Sequence, residues 1–442
     1  MTIKLSDHFN YRRLIKFTAP TIGMFVVMSI YSVVDGFFVS NFVGTEPFAA
    51  INFIMPLLML LSFVGFLFGT GGGALIAKTI GEGDRVKANR IFSMLVYLAI
   101  ALGIVLEIVG IIYVEDVAKF LGATENFLEQ STIYGRIVLL SLPLNILQFE
   151  FQCLLSTAEK PKLGFYVTLA SGLTNIFLDA LFIVAFDFGL EGAAAATAIS
   201  ESIGGILPLI YFSRKNSSLL RLTKTKFDGK VLLQTCMNGA SELLSSISMS
   251  IVGMLYNWQL LNYVGSNGVA AFGILMYVTF IFEAIFIGYS LGAAPIVSYH
   301  YGAKNYSELR NLLKRSLIII AAFSVTMFIC VEIFARPAAM IFASADENLL
   351  EITVHAFRIY AIAFLFGGLT ILTSSFFTAL NNGLISALIS GLRTLVFEVV
   401  AVFIFPRIWG LDGIWFSMVG ADIMALIVSA VMLLRNRRRY NY

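Results

Sequence analysis

Charge, cysteine and histidine are scarce in this sequence. Charged side chains make up 13% of its 442 residues, and it holds three Cys and three His. So few charges cannot clothe a chain of this length in water. With 58% hydrophobic residues and a mean hydropathy of +0.87, the composition is that of a polytopic membrane protein. Cys153, Cys236 and Cys330 lie in or at the ends of apolar runs and share no metal-ligand spacing, so they read as small core residues. His8, His300 and His355 sit at span ends or the terminus and receive no coupling role. No Walker loop, HExxH helix or post-strand dinucleotide fingerprint is present, so no catalytic residue and no cofactor is assigned. Gly71-Gly72-Gly73 lies within an apolar run, where small residues permit close helix contact. The first apolar run, from about Leu14 to Val39, is too long for a signal peptide and contains Asp35, so it reads as the first span.

Apolar runs recur at roughly 14–38, 48–77, 91–114, 133–157, 163–186, 190–213, 231–260, 269–298, 312–335, 355–380, 384–406 and 411–434. An all-α protein of twelve transmembrane helices is therefore expected. With the N-terminus inside, 24 of the 30 Lys and Arg fall on inside segments, which puts both termini in the cytoplasm of a cell (plasma) membrane. The chain also repeats itself. Asn41-Phe-Val-Gly44 with Ala49-Ala50 matches Asn262-Tyr-Val-Gly265 with Ala270-Ala271; Gly81 matches Gly302; and Gly189-Leu-Glu-Gly192 matches Gly410-Leu-Asp-Gly413. Every match has the offset 221, half the chain. Six spans per half bring both halves in from the same side, so they are parallel repeats about an axis along the membrane normal. The expected division is an N-lobe over 1–213, a basic cytoplasmic connector over 214–230 and a C-lobe over 231–442.

The informative residues are the polar ones inside the spans. Asn175 and Asp179 are four apart in span five and share a helical face, as do Tyr31 and Asp35 in span one and Thr197 and Glu201 in span six. An intramembrane acid is expensive and tends to mark an ion path. Two carboxylates, an amide oxygen and a hydroxyl form an all-oxygen set, suited to a hard monovalent cation or to a proton shared between acids. At the fixed offset Asp35 becomes Tyr256, Asn175 becomes Val396, Asp179 becomes Val400 and Thr197 becomes Met418. The scaffold repeats and the polar cluster does not, which points to function rather than helix adhesion. Ser141, Asn145, Gln148, Gln152 and Ser156 step along one face of span four, as a cavity wall or as helix–helix hydrogen bonds. Glu201 is placed to join the cation site or to line the cleft, and its counterpart Asp422 is a candidate for the same cavity. The roles of Glu242, Glu283, Arg393 and Glu398 stay open; Arg393 and Glu398 are five apart, so any pairing would need other helices.

On these residues the chain resembles the multidrug and toxic compound extrusion (MATE) transporters, in particular the prokaryotic branch with DinF-like members, over essentially its whole length. The resemblance implies an N-lobe cation site at Tyr31, Asp35, Asn175, Asp179 and Thr197, with the backbone carbonyl of Ala193 contributing. It also implies a hinge at Pro20, where the first helix bends in that branch. Position 256 is Tyr and span ten has no carboxylate, so the C-lobe acid pair of the other bacterial branch is lacking. The expected function is an antiporter, not an enzyme. It would export amphipathic cationic organic solutes in exchange for Na+ or H+, with Asp35, Asn175, Asp179 and Thr197 as the Na+ ligands if sodium drives it. A monomer with no nucleic-acid partner is expected. The alternatives are a flippase for lipid-linked precursors, which would want a cationic cleft, and a membrane receptor or enzyme.

Overall fold

The computed structural model describes every residue except 1, 2, 121, 122, 124, 344 and 345. The helices are α1 Tyr11–Phe38, α2 Thr45–Gly81, α3 Arg85–Phe120, α4 Glu125–Leu139, α5 Leu142–Thr157, α6 Pro161–Asp179, α7 Gly189–Ser213, α8 Gly229–Val264, α9 Ser266–Gly302, α10 Tyr306–Ala343, α11 Glu347–Ala379, α12 Gly383–Gly391, α13 Glu398–Trp409 and α14 Leu411–Tyr440. Short π-helical turns extend α1 (Val39–Val43) and α6 (Ala180–Ala185) and join α12 to α13 (Leu392–Phe397). Among the described residues, ten helical stretches are long and apolar enough to cross a bilayer, and the α4–α5 pair makes an eleventh. The twelfth is α8: its 36 residues suffice in length, but Asn238, Ser241, Glu242, Ser245, Ser246 and Ser248 dilute its apolar character.

Two features differ from the hydropathy reading. Many helices outrun their apolar runs; α3 starts at Arg85 and α10 at Tyr306. Charged ends remain helical because backbone hydrogen bonding does not depend on side-chain hydropathy. Span four is not straight: α4 and α5 meet at 61°. Pro143, in the first turn of α5, has no N–H to continue the ladder of α4.

The repeat motifs mark turns. Gly44 and Gly265 have φ of +125° and +74°, and Gly189 and Gly410 have +55° and +59°. A left-handed backbone there admits glycine with little strain, which explains why glycine recurs at the same offset. The connector after α7 does not hang free. Its Arg221 N–H donates to Asn89 Oδ1 at 2.7 Å and its Thr223 N–H to Ser93 Oγ at 2.8 Å, so it lies along the start of α3.

Two apolar cores carry the fold. One runs from Val39 to Leu220; the other spans residues 252–442 and takes in Leu5, Phe9, Leu14 and Phe17 from the opposite half. Reciprocally, Val231, Leu232 and Cys236 at the start of α8 pack on the first core. Each half thus begins its first helix against the other half. Between the cores lies a third cluster of Met24, Phe25, Phe66, Cys153 and Ala284.

Glycines let the halves approach to backbone contact at the end that carries both termini. A Cβ at Gly81 would strike the Tyr299 carbonyl, and one at Gly302 would strike the Lys78 carbonyl. Both pairs of positions stand at the repeat offset, so the seam is itself two-fold. Gly71 meets Thr235 and Gly239 in the same way, as the glycine run predicts. The N-terminal segment passes beneath both halves. The Leu5 N–H donates to Glu159 between α5 and α6 at 2.6 Å, and the Phe9 N–H donates to Glu308 in α10 at 2.9 Å. His8 Nδ1 lies 2.7 Å from the same Glu308 carboxylate.

Candidate functional site

Inside the first half, α1, α4, α5, α6 and α7 converge on one polar locus. Asp35 of α1 and Asp179 at the end of α6 bring their carboxyl groups within hydrogen-bonding reach of each other. Two ionised carboxylates are both acceptors, so such an approach needs a proton or a cation between them. Asn175 is 2% exposed and Asp179 fully buried. Asp35 Oδ1, Asn175 Oδ1, both Asp179 carboxylate oxygens and Thr197 Oγ1 are buried without a hydrogen-bond partner of ordinary geometry. Buried polar atoms are rarely left so. Five orphaned oxygens at one place fit an oxygen-seeking monovalent cation or shared protons. Ala193, one turn before Thr197 on α7, is buried at 1%.

A second layer holds this one. The Tyr31 hydroxyl meets Gln148. Glu201 accepts from Ser141 Oγ at 3.1 Å and meets Asn145, within electrostatic range of Asp35. Gln152 Nε2 donates to the Met28 sulfur at 3.6 Å, and Ser156 Oγ lies 3.0 Å from Thr21 Oγ1. The polar stripe of span four therefore faces α1 and α7. Gly172 makes room for Tyr31, since a Cβ there would come within 2.7 Å of its ring. Pro20 lies within the unbroken run of α1.

Tyr134 was not singled out by the sequence reading. It is 1% exposed, and its hydroxyl reaches Thr197 within electrostatic range of Asp35, Asp179 and Glu201. The available signal was its seven-residue spacing from Ser141, two turns of helix; the bend at Pro143 blurs that relation. Tyr134→Phe should weaken the ion-dependent thermal shift of the purified protein about five-fold in apparent affinity, the worth of roughly one hydrogen bond of 1 kcal/mol, with the unliganded melting temperature little changed.

The three π turns among the described residues stand beside the ionic residues inside the spans: one begins four residues after Asp35, one directly after Asp179, and one contains Arg393. Such turns recur at functional sites because they re-aim side chains within an otherwise regular helix. In the second half, Arg393 Nε donates to Asp422 at 2.6 Å, and the guanidinium lies 3.4 Å from Glu283. Arg393 thus pairs with residues of other helices, as its spacing from Glu398 implied. Asp422 is 2% exposed; it is bound to the guanidinium at the wall of a small pocket that also touches Glu283, Tyr360 and Gly367. No counterpart of the Asp35–Asp179 pair forms there, because Tyr256 and Val400 stand at those positions.

Comparison with known proteins agrees with this architecture. Multidrug export protein MepA of Staphylococcus haemolyticus is 26% identical over 97% of this chain and 94% of its own length. MepA of Staphylococcus saprophyticus is 27% identical with the same coverage. Among solved structures, a MATE in complex with MaL6 superposes with a TM-score of 0.92 at 22% identity, covering 98% of this chain and 97% of that one. An outward-facing multidrug resistance MATE family transporter of the MOP superfamily superposes at 0.91 with 23% identity and the same coverage. These neighbours share the fold of twelve helices in two lobes. The MatE family model matches twice, at residues 20–181 and 243–404, once in each repeat. A doubled match over most of the sequence places the chain in the MatE family, the multidrug and toxic compound extrusion transporters.

Proposed function

We propose that this transporter is a secondary antiporter that exports amphipathic, cationic organic solutes in exchange for Na+ or H+. The observation that carries the coupling is the approach of Asp35 to Asp179 amid orphaned oxygens of Asn175 and Thr197. The names of the MepA relatives support a range of exported drugs. We take residues 1–213 as the N-lobe, 214–230 as a cytoplasmic connector and 231–442 as the C-lobe of a monomer in the cell membrane, with both termini inside.

The ion enters from outside and neutralises the two acids, with Tyr134 and Tyr31 holding the ligands in place and the Ala193 carbonyl completing the shell. Relief of repulsion lets α1 rearrange about Pro20, whose missing N–H makes that point easy to bend. The lobes then rock about the glycine seam. Each positive charge moved inward gains about 2.3 kcal/mol per 100 mV of membrane potential. The α5 stripe and Glu201 form the polar wall of the solute cavity.

A flippase for lipid-linked anions is disfavoured. It needs free cationic side chains, and Arg393, the intramembrane arginine, is already bound by Asp422 and Glu283. A receptor or enzyme reading has no comparable support, and family membership makes the protein a transporter. Reconstituted protein should accumulate a lipophilic fluorescent cation when a Na+ gradient or a pH gradient is imposed, each applied alone. Lack of response to both gradients, alongside translocation of a lipid-linked substrate, would reverse this assignment.

A further inference from the structure

The second half holds a buried charge imbalance that the N-lobe ion site does not explain. Glu283 of α9, Glu398 of α13 and Asp422 of α14 gather around a single guanidinium, Arg393. Asp422 and Glu283 take the two ion contacts, at 2.6 and 3.4 Å. Glu398, 6% exposed, forms none within ion-pair distance among the described residues, although the π turn brings it within electrostatic range of Arg393. Residues five apart are one turn apart in a π turn. The groups facing Glu398 are Tyr256 of α8, Glu283 of α9, Tyr360 of α11, Arg393 of its own turn and Asp422 of α14. A second observation points to the same place. The Tyr256 hydroxyl, on a residue 4% exposed, is aimed at Glu398 and makes no hydrogen bond of ordinary geometry. An unpaired carboxylate so buried is expensive unless neutralised.

We propose that Glu398 carries an exchangeable proton, and that Arg393 links this proton to the charge that reaches Glu283. Glu283 is the accessible edge of the cluster, with 24% of its side chain exposed. It is next in sequence to Ala284, which lies in the apolar cluster between the halves. Its contact with Arg393 is the longer of the two and the easier to surrender. A solute cation that settles on Glu283 frees one edge of the guanidinium to face Glu398. Glu398 then ionises and its proton leaves to solvent. Positive charge arrives at one carboxylate and departs from another, so the net charge of the cluster is unchanged. Gly367 leaves the space this needs: a Cβ there would come within 2.7 Å of Asp422 and 3.1 Å of Arg393. This site rests on the reading of the protein as an exporter of cations, but its proton is observable without transport.

The test is a pH titration of the purified full-length protein by infrared spectroscopy, in an Asp35→Asn, Asp179→Asn background that also carries Glu201→Gln and Glu150→Gln, since Glu201 and the fully buried Glu150 are the other enclosed N-lobe acids. A carboxylic C=O band should disappear as pH rises, and adding Glu398→Gln should remove that band at every pH. Tyr256→Phe, which removes the hydroxyl aimed at Glu398, should leave the band titrating but change its C=O frequency. Tetraphenylphosphonium should diminish the band at fixed pH, and Glu283→Gln should abolish that response. Persistence of the titrating band in Glu398→Gln, or no titrating band in the background protein, overturns the proposal. A titrating Glu398 band that ignores tetraphenylphosphonium overturns the link to Glu283. Failure of export in an otherwise normal titration would count against the transport reading alone.

Discussion

Asp35→Asn should lose at least nine-tenths of ion-driven export while folding as well as the parent protein. Two like charges roughly 4 Å apart repel by about 4 kcal/mol at an effective dielectric of about 20. In the proposed cycle a cation or proton between Asp35 and Asp179 removes that repulsion, and this release is what the ion would contribute to the conformational step. With Asn at position 35 the repulsion is absent whether or not the ion is bound, so the ion no longer favours one state over another. Asn keeps the shape and an oxygen ligand, so packing is preserved. Three measurements separate this from a folding defect. Uptake into everted vesicles should fall to background, and the melting temperature without added ion should hold or rise. The ion-dependent thermal shift should largely vanish; an ion at a hundred times its dissociation constant would otherwise supply about 2.7 kcal/mol. Normal pumping by Asp35→Asn would remove the site assignment altogether.

Gly302→Val should have an effect of similar size by a different route. The atom that a Cβ at 302 strikes is the backbone carbonyl of Lys78, which cannot rotate aside as a side-chain tip can. Overpacking of this kind typically costs about 1–3 kcal/mol, and here it falls entirely on the state in which α2 and α9 touch. A state separation of that size shifts a two-state equilibrium by roughly five- to 150-fold. The helices should part at the end bearing the termini. Electron-spin distances between labels near residues 78 and 302 should lengthen in most molecules, and export should stall because the seam no longer re-forms. Gly81→Val should do the same from the other side, since its Cβ meets the Tyr299 carbonyl. An unchanged distance distribution in both variants would mean that the seam tolerates separation without changing state.

The repeat lent itself to reading because its glycines serve local geometry. Gly44, Gly189, Gly265 and Gly410 all take positive φ, a demand a turn makes wherever it occurs. The acids were legible for a related reason: a carboxylate in an apolar run stands out whatever surrounds it. Tyr134 was not legible, because a tyrosine in a membrane span is unremarkable until a partner is placed opposite its hydroxyl. The polar stripe on α5 could be seen, but not which helices it addresses. That depended on the 61° bend before it and on the glycines at 172 and 204, which leave room for Tyr31 and Gln148.

Hydropathy, charge asymmetry and the offset of 221 are each sums over neighbouring or equally spaced residues, and so the helical class, the number of spans and the doubled plan follow from the amino-acid order alone. Which oxygens converge is another matter. Asp35 and Asp179 meet, and Arg393 chooses Asp422 and Glu283 over its near neighbour Glu398, only once each helix has been rotated about its own axis. That rotation goes with close helix contacts, as at Gly172 against Tyr31 and Gly367 against Asp422 and Arg393, and with the π turns beside these residues. Both are properties of packed helices rather than of any residue's identity.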